Sequence, residues 1–177
     1  LDLNGAREDF AMIAAIPGRK IIVKGNHDYW WQTMAKLNRF KEELGADSID
    51  FLFNNAYLCE DFIIAGTRGW TLEANYSEED LKIVNREAGR LRMSLEAAKK
   101  LGETTLGAET VVFLHYPPSF GGIVCRQLVD VMHEYGVKRC FYGHIHSVNP
   151  AILDRFADDI PIYCISADLI GFKPMKL

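Results

Sequence analysis

Short apolar runs alternate with segments of helical spacing along the chain. Apolar residues that recur every three or four positions predict helices at residues 6–16, 30–44, 78–101 and 124–135. Compact runs rich in β-branched and aromatic residues predict strands at residues 21–23, 51–53, 56–58, 62–65, 111–114, 140–142 and 162–165. Strands separated by helices in this way are typical of an α/β domain whose sheet is covered on both faces.

Turn and capping residues predict several boundaries of these elements. Pro17 and Gly18 would end the first helix, and the strands at 51–53 and 56–58 would be joined across Asn54 and Asn55. Ser77 is expected to cap the longest helix, whose first turn is acidic. That helix is predicted to pack on the surface, with a lid or a dimer contact as the alternative, through the apolar stripe Leu81, Val84, Ala88, Leu91, Leu95 and Ala98.

The composition is that of an ordinary globular domain. With 177 residues, of which 49% are hydrophobic and 25% charged, the chain is expected to form one domain. Its net charge of −4 provides no basic surface for long nucleic acid or an anionic membrane, and no apolar run is long enough to cross a bilayer. Four widely spaced cysteines without a Cys-x-x-Cys pair favour reduced thiols in a cytoplasmic protein over disulfides or zinc binding.

Three histidine-bearing segments directly follow predicted strands. Residues 25–28 read Gly-Asn-His-Asp, His115 follows the strand at 111–114, and residues 143–146 read Gly-His-Ile-His. Sites in open α/β sheets form beyond the carboxyl ends of the strands, so these segments are expected to meet at one edge. Imidazole and carboxamide groups suit first-row divalent metals. One such histidine alone would more simply be structural, whereas three in this order predict a metal site. His133, within a helical pattern, is interpreted as a surface or packing residue.

In this order the segments resemble the motifs of the calcineurin-like metallophosphoesterase superfamily. The residues around them resemble those of a bacterial branch of predicted phosphohydrolases. That family carries Asp-x-His, Gly-Asp-x, Gly-Asn-His-Asp, a strand ending in His, and Gly-His-x-His, of which the last three are present. The resemblance implies one domain over residues 1–177, a sandwich of β-sheets flanked by helices with its site at the carboxyl ends of the strands. The first two motifs do not occur in the sequence. We expect them upstream of Leu1 together with the first strands, so that the domain is N-terminally truncated.

The resemblance also implies a pair of divalent metal ions, with Mn, Fe or Zn as candidates. By position, Asn26, His115 and His144 are similar to the ligands of one ion, and His146 is similar to a ligand of the other. Two such ions would clamp a phosphoryl group and activate a bridging water for in-line attack on phosphorus. No covalent enzyme intermediate is then required.

The remaining site residues are assigned to the substrate. The resemblance implies that His27 contacts the phosphate and protonates the leaving oxygen, while Asp28 orients that imidazole. Arg68 lies in Gly-Thr-Arg-Gly-Trp directly after a strand, where it would bind phosphate or, equally, form a surface ion pair. The expected substrate is a small phosphorylated molecule or a phosphoprotein, and the motifs do not separate monoesters from diesters.

Two other functions stay open at this point. One is a catalytically inactive interaction module on the same scaffold, because a fold does not guarantee an activity. The other is a structural site for a single metal, because four candidate ligands from three segments are enough for a tetrahedral shell. The sequence leaves the metal, the physiological substrate and the oligomeric state open.

Overall fold

The computed structural model describes residues 2–177, which form four α-helices and ten strands. The helices are α1 (Arg7–Ala15), α2 (Met34–Leu44), α3 (Glu78–Gly102) and α4 (Arg126–Glu134). The strands are β1 (Lys20–Val23), β2 (Ile49–Leu52), β3 (Ala56–Cys59), β4 (Phe62–Thr67), β5 (Glu109–Leu114), β6 (Ser119–Phe120), β7 (Ile123–Val124), β8 (Cys140–Tyr142), β9 (Phe156–Ala157) and β10 (Ile160–Cys164). No helix in this part of the chain is both long and apolar enough to span a bilayer.

The central sheet has six strands in the order β3-β4-β5-β8-β10-β9. Its four inner strands run parallel, and the two edge strands β3 and β9 are antiparallel to their neighbours. Strands β1 and β2 form a separate parallel pair, and β6 and β7 form a short hairpin. This mixed α/β architecture, with a multi-strand sheet flanked by helices, agrees with the predicted fold class. Because β4, β5, β8 and β10 are parallel, the loops that follow them all leave from one edge.

Two apolar cores hold these layers together. The larger core packs α3 and α4 on one face of the central sheet and includes Leu91, Leu128 and Tyr142. The smaller core joins α1 and α2 to β2 through Phe10 and Phe51. Coverage of the opposite face of the central sheet is incomplete, since its stacked row of Phe113, Phe141 and Tyr163 ends in a tyrosine that is 43% exposed.

The helix predicted over residues 30–44 begins four residues later, at Met34. Trp30 and Trp31 lie before the helix and pack edge-on or tilted against Phe10 and Phe51. The spacing of Trp30 from the apolar residues of α2 fits a helix, although Trp30 lies in the preceding loop and packs in the smaller core. The prediction that Leu81 belongs to the packed apolar stripe of α3 is also wrong, because its side chain is 39% exposed.

The predicted connection across Asn54 and Asn55 joins β2 to β3, but these two strands do not pair with each other. Strand β2 pairs in parallel with β1, whereas β3 pairs antiparallel with β4, so these two residues connect two different sheets. Asn55 stabilises the crossing, because its Oδ1 accepts a hydrogen bond from the Phe53 N–H at 2.7 Å and its Nδ2 donates to the Phe51 carbonyl at 3.1 Å. Further along the chain, the helix predicted at 124–135 is shorter because Val124 belongs to the β6–β7 hairpin.

Gly66 fixes the end of β4, where the chain enters the site edge. A Cβ atom at this position would lie 1.9 Å from the carbonyl oxygen of Phe113 on β5, a distance at which the backbone must move. The Gly66 N–H donates to Ser94 Oγ on α3 at 2.9 Å. The close approach of β4 to β5 and α3 therefore requires glycine here.

We expect Gly66→Ala to lower the free energy of unfolding by about 1–3 kcal/mol or more, because the added methyl group has no space. Gly89→Ala is the matched control, since the corresponding Cβ on α3 meets nothing within 4 Å. The control should raise stability by about 0.5–1 kcal/mol through helix propensity. Urea unfolding of both variants checks this, and a destabilisation of equal size in both would contradict it.

Candidate active site

The three histidine segments meet in one cleft at the carboxyl ends of β1, β5 and β8. The cleft has a volume of about 290 Å³. It contains every site residue predicted from the sequence except Arg68, and it is lined by Val23, Gly25, Asn26, His27, Asp28, His115, His144 and His146. The location agrees with the expectation that a site forms where parallel strands end.

The centre of the cleft is a contact between three side chains from three loops. His115 Nε2 lies 2.6 Å from Asn26 Oδ1 and 3.1 Å from His144 Nδ1. The aromatic ring of Tyr116 packs against His144, with ring centroids 4.3 Å apart. One amide oxygen and two ring nitrogen atoms from three loops therefore lie close to the same point.

Burial and mutual repulsion keep the two central imidazoles neutral. Desolvation, followed by the neighbouring His144 and by Arg68, lowers the pKa of His115 from 6.5 to about 4. Desolvation also lowers the pKa of His144, with His146 and His27 as further causes. Neutral imidazole is the form that binds metal ions, so both side chains are in their ligating form at neutral pH.

The Gly-Asn-His-Asp segment forms a tight turn that directs Asn26 and His27 into the cleft. Asp28 Oδ2 accepts a hydrogen bond from the Gly25 N–H at 2.6 Å, and the Asp28 carbonyl accepts one from the Trp31 N–H at 3.0 Å. A Cβ on Gly25 would lie 3.2–3.3 Å from the Asp28 carboxylate and the His115 ring, so there is little space for a side chain. Asp28 thus closes the turn on its backbone. Among residues 2–177 it makes no hydrogen bond to the His27 imidazole, which sequence reasoning had expected it to orient.

His27 is the exposed histidine of this turn. Its ring packs edge-on to Tyr29, with centroids 6.1 Å apart. Within the described part of the chain, no side-chain hydrogen bond holds the imidazole. Its ring nitrogens are therefore available to a ligand in the cleft.

The Gly-His-Ile-His segment places its two histidines in different surroundings. His144 adopts a left-handed backbone conformation with φ of 70°, which is uncommon for a residue with a side chain and clusters at functional sites. His146 is 61% exposed, and its Nδ1 lies 2.8 Å from Asp168 Oδ1. The other Asp168 oxygen accepts from the Ser147 N–H at 2.7 Å, so one carboxylate fixes both the loop and the imidazole. The Ser147 and His146 hydrogen bonds lower the pKa of Asp168.

Sequence reasoning missed Asp168 and the packing of Tyr116 on His144. Asp168 follows β10, the next parallel strand after β8, and its position after a strand end was the signal that could have found it. Tyr116 immediately follows His115 and is buried. Nothing in the sequence fixes the direction of its ring.

Arg68 lies beside the cleft, but its guanidinium does not line it. The Arg68 carbonyl accepts hydrogen bonds from the N–H groups of His115 and Tyr116, each at 3.0 Å, so its backbone supports the site. The guanidinium packs over Trp70, 4.8 Å from the ring centroid, and lies 3.9 Å from Glu87 Oε1. The structure therefore directs the side chain into a neighbouring cavity.

The donor set suits a divalent cation. Metal ligands at about 2.0–2.2 Å from one ion lie about 3 Å from one another, close to the two distances that separate His115 from Asn26 and from His144. Among residues 2–177, no three His, Cys, Asp or Glu side chains are grouped so as to hold a metal ion. The three segments bring together one amide oxygen and two imidazole nitrogens.

Comparison with known proteins identifies a family. A family model described as calcineurin-like phosphoesterase matches residues 4–148, which include all three histidine segments. Searches among curated proteins and solved structures gave no match. Asp168 lies outside the matched residues.

The low pKa of His115 predicts that the metal-free protein loses stability in acid. Because the folded state binds this proton only near pH 4 and the unfolded state near pH 6.5, the stabilisation is complete above pH 6.5 and is lost as the pH falls towards 4. For a part-exposed imidazole we expect a loss of about 1–2 kcal/mol. Urea unfolding in EDTA at pH 7 and pH 4.5 measures it. Between pH 7 and pH 4.5, His115→Gln should lose about 1–2 kcal/mol less free energy of unfolding than the parent. Equal losses in the two proteins would show that His115 is not the source of the acid sensitivity.

Proposed function

This chain belongs to the calcineurin-like phosphoesterase family, and we propose that it hydrolyses a phosphate ester in a reaction that depends on divalent cations. The observation that carries the proposal is the meeting of Asn26, His115 and His144 in one cleft, with His27 free on its rim. A family match alone does not establish an activity. Here the match coincides with neutral imidazoles and an amide oxygen in a ligating arrangement.

We propose that the protein uses two cations, with Mn, Fe or Zn as candidates. Asn26, His115 and His144 would hold one ion, and His146 would contribute to the other. Divalent cations bound there would supply Lewis acidity, which neutralises charge on phosphoryl oxygens and lowers the pKa of water to about 7. Asp168 would hold His146 in a fixed orientation, as carboxylates behind ligating histidines do in other proteins.

His27 is assigned the role of general acid. It holds a proton on a ring nitrogen and donates it to the ester oxygen as the bond from that oxygen to phosphorus breaks. A water oxygen forms the new bond to phosphorus on the opposite side and loses one proton to solvent, and the solvent then returns one proton to His27. The products are then an alcohol and a phosphate, and no side chain of the protein is covalently modified. The exposure of His27 and the absence of a competing hydrogen bond within residues 2–177 support this role.

The proposed substrate is a small phosphorylated molecule. The histidine cleft, with a volume of about 290 Å³, has room for a phosphoryl group. Parallel assays with p-nitrophenyl phosphate and bis(p-nitrophenyl) phosphate would separate monoesterase from diesterase activity.

His27→Gln should lower kcat for butyl phosphate by about 10²–10⁴-fold, because a butoxide leaving group needs the proton. The loss with p-nitrophenyl phosphate should be much smaller, since p-nitrophenolate leaves without a proton. Steady-state assays with both esters in Mn²⁺ measure this difference, and elemental analysis should find the same metal content in the variant and the parent.

His133→Gln is the matched control for this experiment. This histidine lies on α4 at the surface, 3.4 Å from Asp159, and does not line the cleft. It should keep the parent kinetics with both esters. Turnover of butyl phosphate by His27→Gln at the parent rate would exclude the acid role.

A further inference from the structure

A second cavity of about 290 Å³ has four cationic side chains in its lining. Lys24 enters it directly after β1, and Arg68 directly after β4. Arg86 and Arg90 reach it from α3. We call this space the basic pocket. Four positive side chains from three elements are thus brought together in a protein whose net charge is −4.

One carboxylate lines the basic pocket, and it is already engaged. Glu87 is fully buried, and its Oε2 accepts hydrogen bonds from Thr67 Oγ1 at 2.7 Å and from the Gly69 N–H at 3.2 Å. Its Oε1 pairs closely with Arg90 and more distantly with Arg68. One carboxylate balances one cation, so an excess of positive charge remains in the wall. Lys24 and Arg86 form no ion pair among the described residues.

Two buried N–H donors in the same wall have no partner within the described part of the chain. Trp31 is only 8% exposed, and its Nε1 is buried without a hydrogen bond. Arg68 Nε is buried and likewise unpaired. Buried donors are almost always paired in folded proteins, because leaving one unpaired costs about 1–3 kcal/mol. The uncompensated cations indicate that a negatively charged group belongs in this pocket, and the unpaired donors belong to two of the side chains that line it.

Residues of the basic pocket adjoin residues of the histidine cleft, both in sequence and through backbone hydrogen bonds. Lys24 immediately precedes the turn that carries Asn26 and His27. Arg68 accepts backbone hydrogen bonds from His115 and Tyr116. The residues that line the two spaces are therefore neighbours in sequence at Lys24 and are joined by backbone hydrogen bonds at Arg68.

We propose that the basic pocket binds a second phosphate group of the substrate, so that the substrate class is a phosphate ester that carries another phosphate. This inference rests on the proposed function for the group that is cleaved. The anion site itself rests on the charges and unpaired donors of the pocket. Guanidinium groups suit this role because their planar N–H pairs match phosphate oxygens.

Binding of inorganic phosphate to the metal-free protein tests the pocket without relying on hydrolysis. Calorimetric titration in EDTA at low salt should detect phosphate binding by the parent chain. Arg86→Gln should weaken it by about tenfold or more, because one charged partner is lost. Arg86 is exposed, so the substitution leaves the fold intact, as circular dichroism will show. Arg92→Gln, on the same helix but paired with Glu134 outside the pocket, should bind phosphate like the parent. Equal affinities for the parent and Arg86→Gln, or no binding by the parent, would overturn the proposal.

A pair of substrates tests the link to the reaction. The ratio of kcat/KM for butane-1,4-diol bisphosphate to that for butyl phosphate should be well above two, the value expected from its two equivalent ends alone, in the parent and should fall about tenfold in Arg86→Gln. An equal ratio in the two proteins would show that the pocket does not select the substrate and would overturn the proposal. Hydrolysis of both esters without such a difference would leave the proposed function intact. Phosphate binding that depends on Arg86 in a chain that hydrolyses neither ester would instead reject the proposed function and keep the anion site.

Discussion

The contact of His115 with Asn26 and His144 is the interaction on which the site depends. Three loops from two sheets end at this point, and each provides one polar atom. Two partly buried imidazoles placed side by side cannot both carry a proton at low cost, so they stay neutral. A neutral, crowded ligand set is stabilised when a cation enters it. The same arrangement that costs stability in acid is therefore the one that suits metal binding.

Around this contact, two carboxylates hold the supporting loops. Asp28 closes the turn that carries Asn26 and His27, and Asp168 fixes His146 and the backbone after it. Glu87, which lies on α3, similarly fixes the end of β4 by accepting a hydrogen bond from Thr67. Burial of that single carboxylate brings Arg68 and Arg90 to one surface. The histidine cleft and the basic pocket are thus both built at strand ends of the two sheets, and the loop after β1 contributes to each.

The sequence was enough to predict the strand ends and the segments that meet there. Parallel strands deliver their following loops to one edge, so residues after strands could be grouped without knowing the register. The Asn54–Asn55 connection was predicted, but not that it links two different sheets, because hairpin and crossover links use the same residue types. The contact of Asp28 was also missed, because the choice between a backbone and a side-chain partner depends on the turn geometry. The basic pocket was not predicted as a whole, since its cations are far apart in the chain and only the position of α3 unites them.

Titration of the metal-free protein with Mn²⁺, followed by calorimetry, measures the property on which the site depends. The parent chain should bind Mn²⁺, and His144→Ala should bind it at least about tenfold more weakly, because it removes one of the three converging atoms. His133→Ala, which removes an imidazole outside the cleft, should bind like the parent. Equal Mn²⁺ affinity in the parent and in His144→Ala would show that the three side chains do not form a metal site.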